Sequence, residues 1–452
     1  MLISLKMNNM FIFGSETEFS LTADMRNRRF KSSLISVGDE NVVKSAVIMG
    51  PNNVGKSNLI KCISVIKRIL SDNHPYLIES NIFSENTVCS FEVVFGYENK
   101  VYKLAAEYDT KSSRFISEKY SLLTKKDGKQ KETEIMSRYW TSINGKAYLD
   151  EKIFGKNTDT LYNVVLLSSY KCLMIHLIDE QQSPEFAVIK KIFTSFAESI
   201  DIIDMNRISN KNTIEMMKLS EESQKKISTF IKCADLYLDE IKLLNDDQVR
   251  IELDLSDNSV IHNRLPSEYT AALTEQLHMC SVYKGHSLPS VLFDSEGTKK
   301  MTALASYVIN ALNKGRTLVV DELDSSLHFK LLRAVISLFN NQLNNSAQLI
   351  ATVHDISLLD CKRLFRKEQI WFAHKDSEGV YLYSLAEFTS DNDGVRETSD
   401  LIEKYKQGVF GALPYPDLYD VLTKEETSDD ESPEDVIDFL SLINEEGDED
   451  HE

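Results

Sequence analysis

No uncharged apolar run of about 18 residues occurs in the 452-residue chain, so no transmembrane helix is expected. The opening, Met1-Leu2-Ile3-Ser4-Leu5-Lys6, lacks a basic segment followed by an apolar one and predicts no secretory signal peptide. Cysteine is sparse: six residues, at 62, 89, 172, 233, 280 and 361, none in a C-x-x-C pair. That spacing excludes a zinc ribbon, a zinc hook or a thioredoxin motif. It reads instead as reduced thiols in a cytoplasmic protein. No repeat with a period of about 20–50 residues is present. Apolar heptads do not persist for the three or four repeats that a long coiled coil needs.

What is there is ordinary globular composition, 42% hydrophobic and 27% charged, enough to bury a sizeable core. The length predicts two or three domains, or one large domain with insertions. Net charge is −19, but residues 424–452 hold fourteen acids and one lysine, which leaves only −6 for the first 423 residues. The acidity belongs to the tail and does not forbid nucleic-acid binding by the body.

Along the chain, Leu2–Lys6, Met10–Phe13 and Val42–Met49 read as strands, with a basic loop (Arg26, Arg28, Arg29, Lys31) between the last two. Residues 58–71 carry apolar side chains at helical spacing. Residues 87–150 alternate with period two, and Asp127-Gly128 and Asn144-Gly145 are hairpin turns, so this stretch is an antiparallel β lobe. Residues 183–245 read as mostly helical. After a strand at Val249–Leu255, apolar strands at 317–320, 348–352 and 369–374 alternate with helices at 298–313 and 326–342, which argues for a parallel sheet. The expected division is 1–180 and 249–423 as two halves of one α/β domain, 181–248 as a helical insertion, and 424–452 as a mostly disordered acidic tail. Within that tail, Ser432-Pro433-Glu434-Asp435 is a helix-start signature. The apolar residues after it predict a helix that folds when docked on a basic surface.

Gly50-Pro-Asn-Asn-Val-Gly-Lys-Ser57 satisfies G-x-x-x-x-G-K-[ST], with the strand before it and the helix after it that the motif requires. Gly50, Asn52, Asn53, Val54, Gly55, Lys56, Ser57 and Asn58 form the candidate ATP-binding set. Backbone N–H groups and the helix N-terminus face the phosphates. Lys56 would reach the β/γ phosphates, and Ser57 with Asp321 would hold Mg²⁺. Leu318-Val-Val-Asp321-Glu322 is an apolar strand ending in two acids. Alone it is an ordinary strand end; beside a phosphate loop, Glu322 reads as the base that polarises the attacking water. One unit later His354 ends another strand and would sense the γ-phosphate. Ser295, Gly297 and Thr298 open a helix and make a second anion site, a pattern that an ordinary capped helix shares.

Phosphate loop, Ser295-Glu-Gly-Thr298, the Asp321-Glu322 pair, a D-loop with Asp324, and His354 stand in one order. Together they resemble the ABC type of P-loop ATPase. The signature lacks the adjacent glycines of the transporter form and is similar to that of stand-alone ATPases related to the SMC, RecF and OLD groups. Asn9-Met10, Asp294-Ser-Glu-Gly-Thr298, Asp321–His328 and Tyr405–Pro414 resemble AAA-annotated ATPases of abortive-infection, retron-associated and PARIS-type anti-phage systems. The resemblance implies an ATP-linked homo-oligomer in which Ser295, Gly297 and Thr298 complete the partner's nucleotide site. It also implies a separately encoded effector such as a TOPRIM-type nuclease or a toxin. Only 98 residues follow His354, too few for a fused nuclease domain plus the tail, so no intrinsic nuclease is expected. Asp391-Asn-Asp393-Gly394 reads as a plain turn, and Lys125, Lys126, Lys129 and Lys131 as a solvated hairpin or, alternatively, a nucleic-acid or partner contact. The competing functions are a RecF/SMC-like DNA-repair ATPase and a transporter subunit. Missing coiled coils and basic tracts weigh against the first, and chain size and the signature against the second.

Overall fold

The computed structural model describes residues 1–413 except 28, 127–128, 141–144, 155–160, 163–164, 166–169, 178–182, 235–236, 246–276, 361, 377–378, 390–392 and 397–398. The strand expected at Val249–Leu255, both hairpin-turn dipeptides in part or whole, Cys361, Asp391 and the acidic tail with its helix signature lie outside the described residues.

The chain opens with β1 (Leu2–Asn8) and β2 (Thr17–Ser20), then the ribbon of β3 (Leu34–Val37) and β4 (Glu40–Val43), and β5 (Ser45–Met49). Helix α1 (Lys56–Asp72) follows the phosphate loop. Next come the long strands β6 (Val88–Tyr97), β7 (Lys100–Asp109), β8 (Arg114–Lys126) and β9 (Lys129–Trp140), then β10 (Gly145–Leu149). These build a seven-stranded antiparallel sheet, β10-β9-β8-β7-β6-β1-β2. Its outer face carries cross-strand ion pairs such as Lys103–Glu92 (2.8 Å) and Lys119–Glu132 (2.7 Å). Of the hairpin lysines, Lys125 is tied to Glu40 at 2.7 Å.

Helix α2 (Pro184–Glu198) begins at Ser183, whose hydroxyl accepts the Phe186 N–H, with Pro184 at the first helical position. Its inward face buries Phe193 and Phe196, and Phe196 stacks on Phe95 of β6 (centroids 4.1 Å, interplanar 12°). Strand β11 (Ile200–Asp204) comes next, then α3 (Lys211–Leu219), α4 (Glu221–Cys233), β12 (Glu240–Leu243), β13 (Met279–Tyr283) and β14 (His286–Pro289). Helix α5 (Glu296–Lys314), β15 (Thr317–Asp321), α6 (Phe329–Asn340), β16 (Gln348–Thr352), β17 (Ile370–Lys375) and β18 (Val380–Ser384) follow, and a short helix at Leu401–Lys406 comes after them.

The second sheet runs β11-β15-β16-β5-β17-β18, parallel except at the β17–β18 edge. Its central strands, β15, β16 and β5, are buried on both sides. Along β5, Ala46 and Ile48 enter the core shared with α1, α2 and the antiparallel sheet, while Val47 and Met49 enter the core shared with α5 and α6. Among the described residues no helix is long and apolar enough to cross a membrane.

Two sequence expectations are corrected. Met10–Phe13 is a tight turn, closed by reciprocal Met10 and Phe13 backbone bonds, with Asn9 and Phe11 at φ 53°. Four apolar residues in a row fill the core from a turn as readily as from a strand. Within the stretch expected to be mostly helical, Ile200–Asp204 is an edge strand parallel to β15. Three of its five residues, Ile200, Ile202 and Ile203, are β-branched and suit a pleat, while the helical pattern stops at Glu198.

Candidate functional site

The fully buried strand β5 ends at Met49, in the middle of the parallel sheet. Gly50 (φ 145°) and Gly55 (φ 100°) then take backbone conformations that side chains rarely adopt. A Cβ on Gly50 would overlap the Ala373 carbonyl oxygen of neighbouring β17, and one on Gly55 would overlap Ile12. Asn53 is also left-handed, at φ 62°. The Asn58 and Leu59 N–H groups bond to the Gly55 carbonyl and start α1. Val54 is buried; Asn52, Asn53 and Ser57 are exposed. Lys56 is only 7% exposed, and its ammonium donates to the carbonyls of Gly50 and Pro51, both at 2.7 Å. Burial pushes its pKa down to about 8, against the opposing pull of Asp321, Asp324 and Glu322.

Parallel pairing aligns the ends of β15, β16 and β5, so Thr352 stands between Asp321 and the phosphate loop. The Thr352 hydroxyl donates to Asp321 Oδ1 (2.5 Å) and accepts the Glu322 N–H (2.8 Å). Glu322 is left-handed at φ 53°. Its carboxylate accepts from Asn206 Nδ2 at 2.6 Å, across the β11–β15 edge. Asp324 Oδ2 accepts the backbone N–H groups of His354 (2.6 Å) and Asp355 (2.8 Å). That bond ties the D-loop to the exposed His354.

Asp294 lies buried and accepts from Ser281 (2.7 Å) and Tyr283 (2.8 Å). Burial first, then the bond and charge of Asp294, raise the Tyr283 hydroxyl. Ser295 caps α5, its hydroxyl accepting the Thr298 N–H at 3.2 Å and meeting Thr298 Oγ1 at 2.9 Å. A Cβ on Gly297 would sit 2.7 Å from the Ser326 carbonyl, and Lys300 donates to Ser325 at 2.8 Å. Hence the turn at Ser295–Thr298 packs on the D-loop of its own chain. The sequence reading passed over Thr352, Asn206 and Lys300. Thr352 carried a signal, a polar residue closing the apolar run Leu349-Ile-Ala351. Asn206 carried none, because the edge strand before it was read as helix.

A parallel sheet whose central strand feeds a glycine-bent phosphate loop, with an acidic pair ending a strand two places away, defines the P-loop fold of the ABC-ATPase type. Beside it stands the seven-stranded antiparallel sheet. Residues 180–360 match a family described as "AAA domain, putative AbiEii toxin, Type IV TA system". The match spans the stretch from α2 through the acidic pair to His354 and leaves out the phosphate loop. No curated protein matches the chain. Among solved structures, the SMC head domain from Thermotoga maritima is similar at 14% identity and TM-score 0.40, over 85% of this chain and 98% of that one. The SmcHead bound to the C-winged helix domain of ScpA is similar at 12% identity and TM-score 0.39, over 85% and 97%.

Proposed function

We propose that the chain is an ATP-binding and ATP-hydrolysing ABC-type ATPase of the cytoplasm, acting as a sensor or scaffold that controls a separately encoded effector in anti-phage defence. One observation carries the ATPase reading. A buried lysine held only by loop carbonyls stands where the charges of Asp321, Asp324 and Glu322 reach it. An ammonium so depleted of solvent gains most from a polyphosphate anion.

The loop fits that ligand, since positive φ at Gly50, Asn53 and Gly55 gives the backbone bends that a phosphate-cradling loop needs. Ser57 and Asp321 supply the hard oxygen donors that suit Mg²⁺, which when bound would neutralise charge on the phosphates. Lys56 would hold the β and γ phosphates. Glu322 would accept the proton of the attacking water, and His354 would contact the γ-phosphate. Ser295, Gly297 and Thr298 would act on the nucleotide of a second copy. The toxin-associated family description supports the effector reading.

The test is ATP binding and turnover of the full chain. Lys56→Ala should lose nucleotide binding. Glu322→Gln should bind ATP but turn over about 10²–10⁴-fold slower. Wild-type turnover by Glu322→Gln would sink the base assignment. For the composite site, mixing Lys56→Ala with Ser295→Arg subunits should restore part of the activity, because one intact site can form. Activity indifferent to Ser295 would end that proposal. Co-purification with the product of a neighbouring nuclease or toxin gene tests the effector.

A further inference from the structure

We propose that Asn206 is a positioning residue that orients the Glu322 carboxylate and ties it to the D-loop and to α5. This rests on the reading of Glu322 as the base. The aim of Asn206 is set by the fold. Strand β11 keeps register with β15 to its last pair, Asp204 with Asp321. The Met205 N–H then bonds to the Asp321 carbonyl at 3.0 Å, and the Met205 side chain is fully buried. The Asp204 carboxylate accepts the Asn206 N–H at 2.8 Å, and the Arg207 N–H closes on the Asp204 carbonyl at 3.0 Å. A residue in this turn is thereby fixed one step beyond the sheet edge, beside the acidic pair.

The Asn206 side chain uses both ends there. Its amide donates to Glu322 Oε2 at 2.6 Å. Its carbonyl oxygen accepts from Ser325 Oγ at 2.8 Å and from Lys300 Nζ at 3.5 Å. Lys300 also donates to Ser325 and Ser326, one turn after the Ser295–Thr298 motif. Glu322 stands one residue past the end of β15 with φ 53°, and the Asn206 amide is a donor that reaches its carboxylate there. Asn suits the place because it offers a donor to the acid and an acceptor to the lysine from one short side chain. Movement of α5 would be felt at Glu322 through Lys300, Ser325 and Asn206.

The decisive variant is Asn206→Asp. It keeps the acceptor for Ser325 and Lys300 and removes the donor to Glu322. Steady-state hydrolysis by the full chain should show kcat lowered about 10- to 100-fold, the usual scale for loss of an orienting partner, with KM for ATP and the melting temperature unchanged. Asn206→Ala should lose as much kcat. In a Glu322→Gln background neither change should lower the residual rate further, because the group being oriented is gone. A kcat for Asn206→Asp equal to wild type, with Glu322→Gln slow, overturns this inference alone. Equal losses in the wild-type and Glu322→Gln backgrounds also overturn it, since they mark a role in loop structure only. Wild-type turnover by Glu322→Gln brings down the base reading, and this inference with it.

Discussion

The two sheets of this molecule handle charge in opposite ways. The antiparallel lobe has strands of ten to thirteen residues from β6 to β9 and matches its charges across the ladder. Even its buried ions are paired. Glu118 and Arg138 are each 1% exposed and bonded to one another, and Glu118 also accepts from Tyr120 and the Met174 N–H. The central strands of the parallel sheet are five residues long, and left-handed residues occur at the strand ends of both sheets, Glu98, Asn99 and Ser113 in the lobe's hairpins among them. At the ends of the parallel strands the left-handed residues are Gly50, Asn53, Gly55, Glu322 and Ser326. A buried ammonium there rests on carbonyls alone. Unmatched charge gathers where the parallel ladder stops, which is where a ligand can supply what the chain withholds.

The largest way to break this contrast is inside the lobe. Arg138→Met leaves the Glu118 carboxylate buried without its cation and frees the carbonyl of Cys172 from the guanidinium. Breaking such a pair costs about 3–5 kcal/mol. Urea unfolding should show the stability fall by that amount, while ATP turnover per folded molecule stays at the wild-type level. A loss of turnover without a loss of stability would mean that the lobe takes part in the chemistry.

At the site the expected effect is smaller in stability and larger in binding. Gly50→Ala sets a Cβ on the Ala373 carbonyl oxygen and demands φ 145° of an L residue. Strain of this kind runs to about 1–3 kcal/mol. The loop relieves it by moving, so ATP affinity should fall by about 5- to 150-fold, the same free energy expressed as binding. Titration with a fluorescent ATP analogue reads it. Unchanged affinity would mean that the loop conformation is not what grips the ligand.

The contrast also explains what could be read from residues alone. The phosphate loop and the acidic pair were legible because each is a local string whose chemistry depends on its neighbours in sequence, such as Gly55-Lys56-Ser57 and Val320-Asp321-Glu322. The parallel order followed from apolar strands alternating with helices, and β16 begins and ends where expected. Strand β11 was hidden because it continues an apolar helix after one residue, Ser199. Thr352 and Asn206 act through partners 31 and 116 positions away, Asp321 and Glu322. No window of sequence contains both ends of such a bond; only register between strands brings them together.

A subtler test asks whether the unmatched ammonium carries a cost in the free chain. Lys56 binds its proton up to about 8 in the fold, while the ordinary value is 10.5. The unfolded chain therefore holds more protons between those values, and stability rises with pH across that window. Lys56→Met should remove its share of the rise, leaving that of Lys44 and Lys67, which burial also lowers, and at neutral pH should stabilise the nucleotide-free protein by on the order of 1 kcal/mol. Melting curves of both proteins from pH 7 to 10.5 check the sign. A destabilised Lys56→Met would place the lysine among groups that hold the fold together.

The smallest effect belongs to the lobe's outer face. Partial burial alone would raise the Glu132 carboxyl. Bonds from Lys119 and Ser121, with the charges of Lys103 and Lys119, outweigh it and hold the group at about 2, below the ordinary 4.5. A depressed carboxyl stabilises the fold above about 4.5, and that contribution fades as pH falls through about 2. Glu132 keeps 31% of its side chain in water and Lys119 keeps 41%, so solvent screening limits the contribution to under about 1 kcal/mol. Glu132→Gln should lower the urea midpoint slightly at pH 7 in low salt. The difference should shrink at about 1 M salt, where screening acts over about 3 Å, and again as pH approaches 2. A difference that persisted at high salt would show that Glu132 holds the ladder by hydrogen bonds to Ser121 and Lys119 rather than by charge, and the lobe's lattice would then be packing in ionic form.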